Sequence, residues 1–173
     1  MEQPTQQQQF DRWLDEHQGL LFKVVRAYAF TPQDQDDLFQ EIAVQVWDSI
    51  PKYKGESKVT TWIYRVALYT AITWSKREKK HIDGKRSLDG AAHTLTKSTA
   101  PPNSSLEWLY EQIEQLNEID RSLTLLMLDG FSYKEIAATL GLSESNVGVK
   151  LCRIKQQLAR KSERRERGCR NEL

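Results

Sequence analysis

Cysteine is almost missing from this sequence. Cys152 and Cys169 are the only two in 173 residues, and they have neither CxxC spacing nor histidine neighbours. Neither a disulfide framework nor a zinc site is expected. Uninterrupted apolar runs stop at four residues, which leaves no transmembrane helix and no signal-peptide core. A soluble, cytoplasmic protein without membrane insertion is the default expectation. An excess of one charge is also lacking. With 25 Lys and Arg against 24 Asp and Glu, the chain is neither a globally basic DNA-coating protein nor an acidic disordered tail. The histidines are only His17, His81 and His93. With no P-loop, nucleophile elbow or H-E-x-x-H pattern, an enzyme is not expected, and neither is a cofactor or a metal.

What is present is enough apolar material for one or two small cores: 39% hydrophobic residues, with five Trp, six Tyr and five Phe. That falls short of a large enzyme domain. The near-neutral balance hides a segregation. Residues 1–50 carry 3 basic and 9 acidic side chains, 51–97 carry 11 and 4, 98–130 carry 1 and 6, and 131–173 carry 10 and 5. The order acid, base, acid, base fits two modules, each presenting a local basic patch to a polyanion.

Periodicity gives an all-α fold, two small helical domains joined by a flexible linker, with no sustained strand alternation. Residues 1–9 are Gln-rich and read as a disordered tail. The first domain runs over 10–81. Phe10, Trp13, Leu14, Leu20, Leu21, Val24, Val25 and Tyr28 recur at helical spacing, and a second helix is expected over 33–49 with Leu38, Ile42, Val46 and Ile50 as its stripe. After a basic turn containing Gly55, Thr60 is the expected N-cap of a third helix. Residues 82–105 lose periodicity and fill with Gly, Ser, Thr, Ala and Pro, a linker by composition. Its relaxed span of about 25–30 Å would let both domains touch one duplex.

The second domain, 106–161, carries the sharper signal. Asp120 is an expected N-cap for a helix ending at Gly130. Ser132-Tyr133-Lys134-Glu135 reads as a capping box, and Gly141-Leu142-Ser143 as a tight interhelical turn whose Ser143 caps the next helix. A short helix, a Gly turn and a longer helix is the helix-turn-helix arrangement. Along the longer helix Val147, Leu151, Ile154 and Leu158 form one buried seam. The far side holds Ser145, Val149, Cys152, Arg153, Gln156 and Arg160, flanked by Asn146 and Lys150. Asn and Ser can bond base edges, Arg can reach guanine or phosphate, and Val149 can contact a thymine methyl. Cys152 reads as a small tolerated residue, and 162–173 as a frayed basic tail.

Asp37-Leu38-Phe39-Gln40-Glu41, Val46-Trp47, Thr61 through Ala67, Phe131 through Ala137 and Ser143 through Lys155 stand in an order that resembles the extracytoplasmic-function (ECF) sigma factors. These are the two-domain group of the sigma-70 family of bacterial transcription initiation factors. The resemblance covers both modules, from about Phe10 to Lys161. It implies that the second helix docks on the coiled coil of the largest polymerase subunit, with Asp34, Asp37, Leu38, Gln40, Glu41 and Gln45 in the matching stretch. Acidic and amide groups around an apolar Leu suit a basic helical partner, while Asp36 reads as compensation of the helix dipole. The flap of the second-largest subunit is a further implied contact.

For the single-stranded −10 element the resemblance implies Lys52, Tyr53, Lys54, Ser57 and Lys58, then Trp62, Arg65, Tyr69, Lys76 and Arg77. The lysines would hold phosphates and Tyr53 would stack on an unpaired base, while Trp62 reads foremost as core. For the −35 duplex it implies Tyr133, Lys134, Ser143, Ser145, Asn146, Val149, Lys150 and Arg153. Tyr69 and Thr73 stand where many relatives carry Asn and Asp, so the −10 preference does not transfer. Gly148 replaces a common basic residue, and close approach of backbone to DNA would compensate its low helix propensity. Core RNA polymerase and promoter DNA are the implied partners, and an anti-sigma factor is a candidate third. The competing reading is a sigma-like mimic that sequesters an anti-sigma factor without reading DNA, and the outward basic residues argue against it.

Overall fold

The computed structural model describes residues 5–86 and 104–170. The first four residues of the expected tail, linker positions 87–103 and the last three residues lie outside the described residues. The helices are α1 (Gln6–Tyr28), α2 (Pro32–Ser49), α3 (Val59–Arg86), α4 (Ser104–Glu114), α5 (Glu118–Leu128), α6 (Tyr133–Leu140) and α7 (Glu144–Arg170), with a 3-10 turn at Ile50–Lys52 after α2. No strand occurs among the described residues, so the fold class is all-α. The chain divides into two compact units, Met1–Tyr110 and Glu111–Leu173.

In the first unit α1, α2 and α3 pack on one another around Trp13, Leu21, Val24, Tyr28, Leu38, Ile42, Val46, Ile63, Tyr64 and Leu68, all essentially inaccessible to water. Burying a large apolar side chain contributes about 1.5–3 kcal/mol relative to leaving it exposed, so this seam carries the unit. The helices begin where side chains satisfy their open N–H groups. Thr5 caps α1 in a capping box with Gln8, which places residues 6–9 in the helix and corrects the expected tail. Gln6 Nε2 also donates to Trp47 O at 3.0 Å, and Phe10 meets Trp47 edge-on at 5.3 Å. A Gln-rich composition therefore hides a docked first turn. Thr31 caps α2 ahead of Pro32, whose missing N–H is no loss at a first helical position.

Helix α3 begins one residue before the expected cap, and Lys58 O accepts its first bond from Trp62 N at 3.1 Å. It also continues to Arg86, past the expected start of the linker, because Lys, Arg and Glu propagate a helix well.

In the second unit Asn117, not Asp120, caps α5, and its Oδ1 accepts from Asp120 N at 2.9 Å. The earlier start is favoured by Arg121, a buried residue whose Nη2 donates to Glu114 O at 2.7 Å and Leu116 O at 3.0 Å, satisfying the end of α4. The capping box of Ser132 and Glu135 forms as expected. Helix α7 runs to Arg170, so the basic segment after 161 is a helical extension rather than a frayed tail through that residue. Among the described residues no helix is long and apolar enough to cross a membrane.

Candidate nucleic-acid interface

Helix α6 ends at Gly141, which holds φ +68°, and the N–H of Leu142 reaches back to Ala137 O at 3.0 Å. Only glycine takes that left-handed angle without strain, so the turn between α6 and α7 is set by one residue. Ser143 then caps α7, its Oγ accepting from Asn146 N at 3.2 Å and sharing a hydrogen bond with Ser145 Oγ. Val147, Leu151 and Ile154 are buried and Leu158 is half-buried, while Ser143, Ser145, Asn146, Val149, Cys152 and Arg153 are exposed. The seam and the open face thus lie where the helical wheel puts them.

Tyr133 and Lys134 are exposed on the first turn of α6. A Cβ built on Gly148 would meet Cε2 of Tyr133 at 3.6 Å, so the ring lies over this glycine. Gly148 seats an aromatic ring of the preceding helix, a role the sequence pattern does not display. Lys150 differs from the expectation of an outward reader: it is half-buried, and its Nζ lies 2.9 Å from Asp120 Oδ1 on α5.

In the first unit, Trp62, Arg65, Tyr69, Thr73 and Lys76 fall within about 80° on the wheel of α3 and form its open face. Trp62 is half-buried and the other four are exposed. Arg65 lies over the Tyr69 ring at 5.9 Å from its centroid. Tyr69 is therefore the open aromatic platform of this face, beside a guanidinium that can pair with phosphate. Lys52, Lys54, Ser57 and Lys58 are exposed on the preceding loop, which turns at Gly55 with φ +76°.

Tyr53 is placed differently from a free stacking ring. It packs edge-on against Trp13 at 5.3 Å, tilts against Trp62 at 5.5 Å, and its hydroxyl donates to Ser57 O. Its ring closes the loop onto the core. Trp62 joins that cluster and donates its Nε1–H to Ser49 Oγ at 3.1 Å, as befits its reading as core.

On α2, Asp37, Gln40 and Gln45 are exposed, while Asp34 and Glu41 are half-buried. Leu38 is 0% exposed, so it belongs to the core and not to that surface. Val44, 56% exposed and seven residues after Asp37 on the same face, is the apolar residue that is open there. The sequence reading missed it; the signal was its offset from the Leu38, Ile42, Val46 stripe. Glu41 takes Arg77 Nη2 at 2.7 Å and Nη1 at 3.4 Å, linking α2 to α3. That hydrogen bond, more than the charge of Glu41, holds the Arg77 pKa above its ordinary value, against some desolvation.

The sigma-70 region 2 family model matches residues 13–81, and that of sigma-70 region 4 matches residues 106–158. The RNA polymerase sigma factor YlaC of Bacillus subtilis strain 168 is 28% identical over 127 residues, covering 70% of this chain and 73% of that protein. The ECF RNA polymerase sigma-E factor of Escherichia coli strain K12 is 27% identical over 142 residues, covering 74% and 73%. Among solved structures, the sigma factor RpoE in complex with the anti-sigma factor NepR from Bartonella quintana superposes with a TM-score of 0.70 at 14% identity, over 87% of this chain and 94% of that one. CnrH in complex with the cytosolic domain of CnrY gives 0.65 at 20% identity, over 91% and 89%. At those identities the superpositions establish the shared fold.

Proposed function

Because the chain belongs to the extracytoplasmic-function group of the sigma-70 family of transcription initiation factors, we propose that it binds core RNA polymerase and directs it to specific promoters by reading −35 duplex DNA and capturing −10 single-stranded DNA. The observation that carries this is the open face of α7, behind a capped α6 and a left-handed Gly141. An α-helix fits the major groove, and Ser145, Asn146, Val149 and Arg153 supply a hydroxyl, an amide, a methyl surface and a guanidinium at successive turns. Tyr133 and Lys134 stand at the start of α6, suited to contact the flanking backbone.

For −10 capture, the exposed lysines of the 52–58 loop hold phosphates, and Tyr69 with Arg65 receives an extruded base. Stacking on an aromatic ring is worth about 1–3 kcal/mol per base, comparable to the few kcal/mol that unstacking costs. Asp37, Gln40, Val44 and Gln45 form the polymerase-docking face of α2, an apolar centre ringed by acidic and amide groups that suits a basic coiled coil. The complex of the structural neighbour RpoE with the anti-sigma factor NepR supports an anti-sigma factor as a further partner.

The test is a reconstituted holoenzyme carrying Asn146→Ala and Arg153→Ala together. A promoter-reading subunit loses specific initiation while still binding core polymerase. Specific initiation unchanged by the double variant would overturn the assignment of reading to this face of α7, and a wild-type chain that supports no specific initiation would favour the sequestering mimic.

A further inference from the structure

We propose that Asp120 and Lys150 are positioning residues for duplex reading. Asp120 holds the lysine sideways, so that it sets the pitch of α7 against α5 and is withheld from DNA phosphate. The proposal rests on the reading that α7 enters the duplex.

The geometry begins with the wheel of α7. Lys150 projects about 70° from the middle of the buried seam, whereas Val149 projects about 170° from it. The lysine therefore leaves the helix at the boundary of the core. Its Nζ meets Asp120 Oδ1 at 2.9 Å, with side-chain exposures of 32% and 21%. The carboxylate is itself fixed: its Oδ2 accepts from Asn117 Nδ2 at 2.8 Å, and the Asp120 N–H donates to Asn117 Oδ1 at 2.9 Å. The carbonyl of Asp120 accepts from Thr124 Oγ1 at 2.8 Å. Both carboxylate oxygens are engaged, and the residue sits in the first turn of α5, where a negative charge complements the helix dipole.

Two consequences follow for binding. A carboxylate at hydrogen-bond distance cancels most of the field that Lys150 would present to a phosphate, so the lysine contributes little to counterion release. A lysine with three donors and a flexible stem binds any phosphate as a point charge, without regard to sequence. Restrained by Asp120, it braces the reading helix and leaves discrimination to the residues on the open face.

The experiment uses full-length chain in reconstituted holoenzyme, with a promoter recovered from a genomic library and the same duplex carrying a scrambled −35 segment. Affinity is measured across a salt series, with circular dichroism to confirm folding. Lys150→Ala should lower the preference for the intact −35 at least threefold and leave the salt slope unchanged. Asp120→Asn, which keeps the shape but releases the lysine, should steepen the slope by about 1 and lower the preference as much. The exchange Asp120→Lys with Lys150→Asp should restore the preference to within twofold. Direct phosphate contact, and the end of the proposal, would be shown by Lys150→Ala flattening the slope by about 1 while Asp120→Asn has no effect. A folded exchange variant that fails to regain preference also overturns it. Wild-type holoenzyme indifferent to scrambling would overturn the −35 reading itself, and the positioning role with it.

Discussion

Leu38 and Val44 stand six residues apart on α2 and separate fold from docking. Leu38 is 0% exposed among the three packed helices of the first unit. Truncating such a leucine to alanine costs about 2–5 kcal/mol, a large part of the roughly 5–15 kcal/mol that holds a typical domain folded. Val44 is 56% exposed, so Val44→Ala should change stability by no more than about 0.5 kcal/mol. Its effect belongs to polymerase binding. Valine exceeds alanine by two methylene equivalents, together about 1.6 kcal/mol when fully buried. A little over half of that surface is still open to be covered, which gives about 0.9 kcal/mol, or roughly a fourfold rise in Kd. Four of the five tryptophans, Trp13, Trp47, Trp62 and Trp74, lie on α1, α2 and α3, so tryptophan fluorescence during urea unfolding reports mainly the first unit, and competition for core polymerase reports docking. Wild-type affinity in Val44→Ala would refute the docking face. A stably folded Leu38→Ala with weakened docking would refute the division between the two residues.

Three further outcomes are expected. The Glu41–Arg77 pair is half exposed, so a double-mutant cycle with Gln at both positions should give a coupling below about 1 kcal/mol that fades in 1 M salt. Gly148→Ala should stabilise the second unit by up to about 1 kcal/mol, since the new methyl meets the Tyr133 ring at an ordinary 3.6 Å. A lowered unfolding midpoint by circular dichroism would show instead that the ring cannot tolerate it. Burial, opposed by Arg121 and reinforced by Glu111, raises the Glu114 pKa. The folded state then holds a proton that the unfolded state releases near pH 4.3, and stability falls as pH rises through the folded value. Glu114→Gln lacks this loss, so its stability advantage over wild type should grow between about pH 4 and pH 7. An advantage that shrinks over that range would contradict the assignment.

The second unit was legible because its signals are local. The Ser132 box, the Gly141 turn and the Val147, Leu151, Ile154 seam each rest on residues a few positions apart, where capping rules and the 3.6-residue period decide the outcome. What escaped depends on partners far along the chain. The first turn of α1 looked frayed because its bond to Trp47 spans 41 positions. Lys150 looked like a reader because Asp120 lies 30 residues before it. Tyr53 looked free to stack because its Trp13 and Trp62 neighbours come from α1 and α3. Leu38 lies among acidic and amide residues while Val44 lies in the largely apolar run 42–47, so local composition misassigns both, and only the helical offset of Val44 from the Leu38, Ile42, Val46 stripe separates them.

Mapping transcript start sites made by this chain with purified core polymerase on a fragmented bacterial genome tests the central claim most directly. Initiation at defined positions that share a duplex motif upstream of a second, melted element is the predicted result. No specific initiation, or start sites without a shared upstream motif, would contradict it.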